Sequence, residues 1–156
     1  MTAILAAGIT HWFGSEPALE GVDLVVERGD HVAVLGDNGA GKTTLLRILA
    51  TAMQPSAGGL EIMGLNARRE RRRLRARIGY LSLARATIHD PLLLILDEPD
   101  ASLDAEAPEL LSRVMQKRTV VFATHDQALA TRLGHRTVQL RKGHVMGAGS
   151  RLHVVH

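Results

Sequence analysis

Residues Gly36-Asp37-Asn38-Gly39-Ala40-Gly41-Lys42-Thr43 constrain this chain more than any other stretch. They meet the phosphate-loop pattern G-x-x-x-x-G-K-[ST] at every fixed position. That pattern has one structural context: a buried strand enters the loop and a helix leaves it. The apolar run His31-Val32-Ala33-Val34-Leu35 reads as the strand, and Thr44 to Ala50 reads as the helix. Glycines let the backbone curl closely around a polyphosphate because no Cβ blocks the approach. Successive N–H groups and the positive end of the helix then face the phosphate oxygens. The residues that would form this cradle are Gly36, Asn38, Gly39, Ala40, Gly41, Lys42, Thr43 and Thr44. Lys42 supplies a full charge to the β- and γ-phosphates, and the Thr43 hydroxyl is a ligand for Mg²⁺. A glycine-rich turn before an ordinary helix would not need strand, loop and helix to agree in this way.

A chain of 156 residues suggests one domain, and 46% apolar residues suffice to build its core. Aromatics make up only 3%, so that core must come from Leu, Val, Ile and Ala. The absence of cysteine excludes disulfides and thiolate metal sites, and fits a reducing cytosol. Met1 to Ala7 are apolar but lack a basic lead, which suits a first strand better than a signal peptide. No apolar run is long enough to cross a bilayer, so a membrane role would pass through a partner. The expected location is cytoplasmic, peripheral on the cytoplasmic face of the inner membrane through that partner. Net charge is +3, with Arg68, Arg69, Arg71, Arg72, Arg73, Arg75 and Arg77 crowded together. Such a cluster reads either as a patch for nucleic acid or acidic lipid, or as a solvated helix face. No aromatic residues interleave with the arginines to stack on bases, which favours the solvated face.

Ala3 to Thr10 and Val22 to Glu27 read as strands, with a turn at Glu27-Arg28-Gly29-Asp30. Pro55 to Gly59 reads as a break, and Leu60 to Met63 as a short strand after it. Leu92 to Leu96 and Thr119 to Ala123 are continuous apolar runs, as a parallel sheet buried on both faces requires. Pro108 to Gln116 and Asp126 to Leu133 read as helices. Strands alternating with helices argue for an α/β fold.

The run Leu92 to Leu96 ends in Asp97-Glu98. Asp97 at the strand tip can hold Mg²⁺ through water, opposite Thr43. Glu98 is placed to orient or deprotonate a water attacking the γ-phosphate. An acidic strand end is weak evidence alone; beside a phosphate loop it becomes strong. The strand through Thr124 ends in His125-Asp126, at the sheet edge where ligands bind, which marks His125 as functional. His11, His31, His89, His135, His144, His153 and His156 show no metal-ligand spacing and read as ordinary.

Together these residues resemble the ATP-binding subunit of an ABC transporter along nearly the whole chain. Within Ile9 to Gly14, Phe13 stands where the family's aromatic stacks on adenine. Leu19 to Leu24 and Gly29-Asp30 resemble the lead-in to the Walker A loop, Gly36 to Thr44. Asp97-Glu98 resembles the Walker B end with its catalytic glutamate, Ser102-Leu103-Asp104 the D-loop, and Ala123 to Asp126 the switch-histidine block. Leu46 to Thr51, Ile78 to Ser82 and Ala123 to Asp126 look most like the haem-exporter (cytochrome c maturation) type. The resemblance implies a P-loop NTPase (RecA-like) core with a mostly parallel sheet, plus an N-terminal antiparallel β subdomain. It also implies ATP and Mg²⁺ as cofactors, Glu98 and His125 as catalytic residues, and Thr43 and Asp97 as the metal's ligands. Its partners would be a transmembrane permease subunit and a second ATP-binding subunit, in a homo- or heterodimer.

The chain departs from the family in one place. After Tyr80-Leu81-Ser82 there is no glutamine loop, no helical subdomain and no Leu-Ser-Gly-Gly-Gln signature. It reads as a single ABC-type domain over 1–156, shortened internally near 82–84. In the family the partner's signature helix supplies donors to the γ-phosphate, so a homodimer of this chain would lack them on both sides. Leu83 to Pro91 is also short for a crossover between parallel strands, which argues for strain there. Three readings follow: an ATPase driving transport, a nucleotide-binding remnant that does not hydrolyse ATP, and a soluble ATPase acting on nucleic acid.

Overall fold

The computed structural model describes residues 1–80, 90–99 and 107–146, and the side chains from 109 onward in the last segment. The shortened junction near 82–84, the crossover from Leu83 to His89 and the D-loop at Ser102-Leu103-Asp104 lie outside them. Two sheets carry the chain. The first is antiparallel, in the order β2-β1-β4-β5, from β1 (Thr2–Phe13), β2 (Glu16–Glu27), β4 (Ala57–Ile62) and β5 (Leu65–Asn66). The second runs in the order β10-β9-β3-β8-β7-β6. It is built from β3 (His31–Leu35), β6 (Ile78–Tyr80), β7 (Leu93–Asp97), β8 (Thr119–Thr124), β9 (Arg136–Arg141) and β10 (His144–Met146). Its pairs are parallel except for the edge strand β10, which runs antiparallel to β9. This is the α/β arrangement expected, with the antiparallel β subdomain at the N-terminal side.

Helix α1 (Lys42–Leu49) lies between the sheets and buries Leu45, Leu46, Ile48 and Leu49 against both. The central strands β3, β7 and β8 are apolar at every position but their ends (His31, Asp97, Thr119 and Thr124), because both of their faces are covered. Val32 and Val34 pack toward α1 and the first sheet; Ala33 and Leu35, pointing the other way, pack on the far side. There they meet Phe122, Leu111 and Met115 of α3 (Ala107–Met115), and Leu129, Ala130 and Leu133 of α4 (Gln127–Leu133). Asp126 starts α4: its side chain accepts from the N–H groups of Ala128 and Leu129. In the arginine-rich segment, α2 (Arg71–Arg75) buries only Leu74 and leaves Arg72, Arg73 and Arg75 exposed. Arg71 donates to the carbonyls of Thr51 at 2.8 Å and Ala52 at 3.2 Å, satisfying carbonyls just past the end of α1.

Two expectations shift. The break at Pro55 to Gly59 is shorter than its composition suggests, because β4 begins at Ala57. The ladder recruits these residues: Ala57 pairs with Thr10 and Gly59 with Ala7. Strand β2 also starts six residues before Val22, since the hairpin continues to Phe13 paired with Glu16.

At the base of β3, the His31 and His135 rings stack with centroids 4.3 Å apart. Burial, then the neighbouring His135, hold His31 below the ordinary imidazole value. The unfolded chain therefore takes up the proton first as pH falls. Stability from this site is full above about pH 6.5 and declines below it. The thermal midpoint is expected to drop between about pH 7.5 and pH 5.5, and His31→Gln to flatten that drop.

Candidate functional site

The phosphate loop is held by contacts on both sides. Gly41 adopts φ +103°, and a Cβ there would sit 2.6 Å from the Ala18 carbonyl oxygen. The left-handed turn and the close approach of β2 both demand glycine. Helix α1 starts directly after it, with the Leu45 N–H donating to the Gly41 carbonyl at 2.9 Å. Asp37, Asn38 and Gly39 form the exposed rim of the loop, and Gly36 and Ala40 are buried beneath it.

Lys42 is 6% exposed, and its ammonium group lies inside the loop. It donates to the carbonyls of Gly36 and Asp37 and stands 3.8 Å from Glu98 Oε1. Thr43 follows on the open side, its hydroxyl donating to Asp97 Oδ2 at 2.8 Å. Asp97 reaches it as the last residue of β7, adjacent to β8 in the sheet. Glu98 then turns sharply, with φ +45° and its N–H donating to the Ala123 carbonyl at 2.9 Å. A glutamate in the left-handed region is strained, and such strain is found where a side chain must be aimed. Here the carboxylate swings back between two cations or donors: Lys42 on one side and His125 Nδ1 at 3.0 Å on the other. Five expected residues (Lys42, Thr43, Asp97, Glu98 and His125) thus form one connected chain across α1, β7 and β8.

The donor set suits a hard divalent cation. The Thr43 hydroxyl and Asp97 carboxylate are both hard oxygens, and Asp97 Oδ1 is a buried acceptor with no hydrogen-bond partner. Among the described residues, no cluster of three or more His, Cys, Asp or Glu forms a metal cage by itself.

Phe13 stands apart from this chain of contacts. It ends β1 at the hairpin tip, 52% exposed, and β2 returns from it to the Ala18–Gly41 contact beside the loop. Thr44 is the third residue of α1 and is half-buried.

The β9–β10 turn also shapes the site, and it was not expected. Gly143 donates its N–H to the Ala40 carbonyl at 2.9 Å, and its own carbonyl accepts from the Glu20 N–H at 2.9 Å. The turn therefore bridges the phosphate loop to β2. The signal available was Lys142-Gly143 between the alternating apolar residues Val138, Leu140 and Val145. Gly143 sits at φ +79°, and a Cβ would meet the Ala18 carbonyl oxygen at 2.8 Å. Gly143→Ala is expected to destabilise the fold by about 1–3 kcal/mol, read from the shift in the denaturant midpoint.

Residues 19–82 match the ABC transporter family. The chain is similar to the ATP-binding domains of ABC transporters. It is 30% identical to the aliphatic sulfonates import ATP-binding protein SsuB 1 of Burkholderia lata, across 92% of this chain and 62% of that protein. Over a shorter stretch it is 52% identical to the phosphonates import ATP-binding protein PhnC 1 of Pseudomonas syringae pv. tomato, across 43% of this chain and 27% of that protein. The domain thus spans 62% of the length of the SsuB relative. That alignment has 199 positions and takes in 92% of the 156-residue chain, so about 55 of its positions have no counterpart here. The dimeric structure of MJ0796, a bacterial ABC transporter cassette, superposes with a TM-score of 0.83 at 20% identity, across 92% of this chain and 97% of that one. The structure of cbiO1 from Clostridium perfringens, part of the ABC transporter complex cbiONQ, gives 0.82 at 20% identity, across 96% and 88%. These structures establish the fold. The import names of the sequence relatives lend no support to the haem-exporter type. No helix among the described residues is long and apolar enough to cross a membrane.

Proposed function

We propose that this chain binds MgATP at the phosphate loop and serves as the ATP-binding subunit of an ABC transporter. It would work with a separate permease subunit and a second ATP-binding subunit, attached to the membrane through them. One observation carries the reading: the Lys42 ammonium, the Thr43–Asp97 pair and the Glu98–His125 pair meet at one strand edge. The import ATP-binding proteins among its relatives support the transport role.

In this reading the loop N–H groups and Lys42 bind the polyphosphate, Phe13 meets the adenine, and Thr43 with Asp97 hold the metal. Magnesium, when bound, neutralises charge on the β- and γ-phosphates. Glu98 orients the attacking water as general base, and His125 holds its carboxylate in place. Because the sequence has no signature motif, the chain by itself is proposed to bind nucleotide and to hydrolyse it only beside a partner that has one.

Calorimetric titration of the purified chain with MgATP tests the reading. Saturable one-to-one binding is the expected result. Absence of binding overturns it. So does tight, salt-sensitive binding to DNA or RNA that is lost when Arg71, Arg72 and Arg73 are neutralised, since that is the behaviour of a nucleic-acid patch.

A further inference from the structure

We propose that His11 and Ser56 are positioning residues for Phe13; this rests on the MgATP reading, in which Phe13 meets the base. An exposed ring at a hairpin tip samples several rotamers, and fixing one on binding weakens affinity. Phe13 is not left to itself. The His11 ring meets it with centroids 4.7 Å apart and planes at 74°, an edge-to-face contact. Residues two apart on a regular strand share a face; here the register shifts between His11 and Trp12, and the two rings still meet.

His11 is in turn held from outside the strand. Ser56 bonds to three successive residues of β1. Its N–H donates to the Thr10 carbonyl at 2.8 Å, and its Oγ accepts from the Trp12 N–H at 3.1 Å. The same Oγ lies 3.5 Å from His11 Nδ1. This clamp falls where the β1–β2 register is irregular, between Ile9 and Trp12, so the ladder alone does not fix the backbone there. Ser56 belongs to the short connection between α1 and β4. The helix that follows the phosphate loop and the ring that would meet the base are therefore joined through one serine and one histidine. The family's aromatic position does not by itself supply this support; it comes from the side chains of this chain.

The chain's single tryptophan, Trp12, lies beside Phe13 and is 45% exposed, so its emission reports on this tip. The full chain would be titrated with MgATP and, separately, with magnesium tripolyphosphate, which has no base. His11→Ala is expected to weaken MgATP binding about three- to tenfold and to leave tripolyphosphate binding unchanged within about twofold. His11→Phe, which keeps a ring edge against Phe13, should retain MgATP affinity. Adding His11→Ala to Phe13→Ala should cost nothing beyond Phe13→Ala, because the two act as a unit. MgATP, but not tripolyphosphate, should change Trp12 emission. The proposal fails if His11→Ala leaves MgATP binding intact, or weakens both probes equally as a general structural defect would. If the wild-type chain binds neither probe, the MgATP reading itself fails and this inference with it; if it binds both and His11→Ala is silent, only this inference fails.

Discussion

Lys42→Ala should weaken MgATP binding by about 100-fold or more, the largest loss expected from any single side chain in the loop. The reason is the position of its charge. The ammonium is almost fully withdrawn from solvent, at 6% exposure, and is ringed by the carbonyls of Gly36 and Asp37 and by Glu98. A cation in such a place makes several charge-assisted hydrogen bonds to a phosphate, each stronger than a neutral one. Alanine removes them all and leaves the Glu98 carboxylate facing the phosphate without the Lys42 charge beside it. Repulsion then adds to the lost attraction. The fold itself should survive, because the apolar contacts of α1 run through Leu45, Leu46, Ile48 and Leu49. Thermal unfolding separates the two effects. MgATP should raise the wild-type midpoint as ligand saturates the native state, and should leave that of Lys42→Ala where it was. An equal ligand-induced rise in both proteins would place the nucleotide elsewhere.

The site was legible in the sequence to the extent that its chemistry is local. Gly36 to Thr43 is a contiguous loop whose conformation is set by its own glycines. Asp97 and Glu98 follow a run so apolar that it had to be a buried strand, and the tip of such a strand has to emerge at the sheet edge. The 3.8 Å approach of Lys42 to Glu98 is one result of that logic. What escaped depends on contacts between distant segments. The β9–β10 turn holds the phosphate loop through backbone groups of Gly143, and a backbone contact leaves almost no mark on residue type. The same holds for β4, whose first residues look like a loop until β1 pairs with them. The turn at Glu98 was hidden for a further reason: a left-handed glutamate runs against local preference and is held there by its bond to Ala123.

Phosphate release by this chain alone should not exceed that of its Glu98→Gln variant. The groups proposed to act in cis are connected: Thr43 bonds to Asp97, the two being the proposed ligands of the metal, and the Glu98 carboxylate lies 3.0 Å from His125. What the sequence lacks is the Leu-Ser-Gly-Gly-Gln segment, which the family resemblance places across the γ-phosphate from the loop. Donors aimed at developing charge are usually the largest catalytic contribution, and losing even one costs about 10²–10³ in rate. Supplying them should therefore restore turnover. The test adds a full-length ABC ATP-binding subunit that has its own signature but whose phosphate-loop lysine and catalytic glutamate have been replaced. Release should then rise by about 10²-fold or more, and Glu98→Gln in this chain should return it to background. His125→Ala should lower it by a smaller factor, since in the proposed reading the histidine holds Glu98 and does not touch the water. Glu98-dependent release from the lone chain at a rate the added subunit does not change would show that the missing donors are not required. A rise that survives Glu98→Gln would show that the partner, and not this site, performs the hydrolysis.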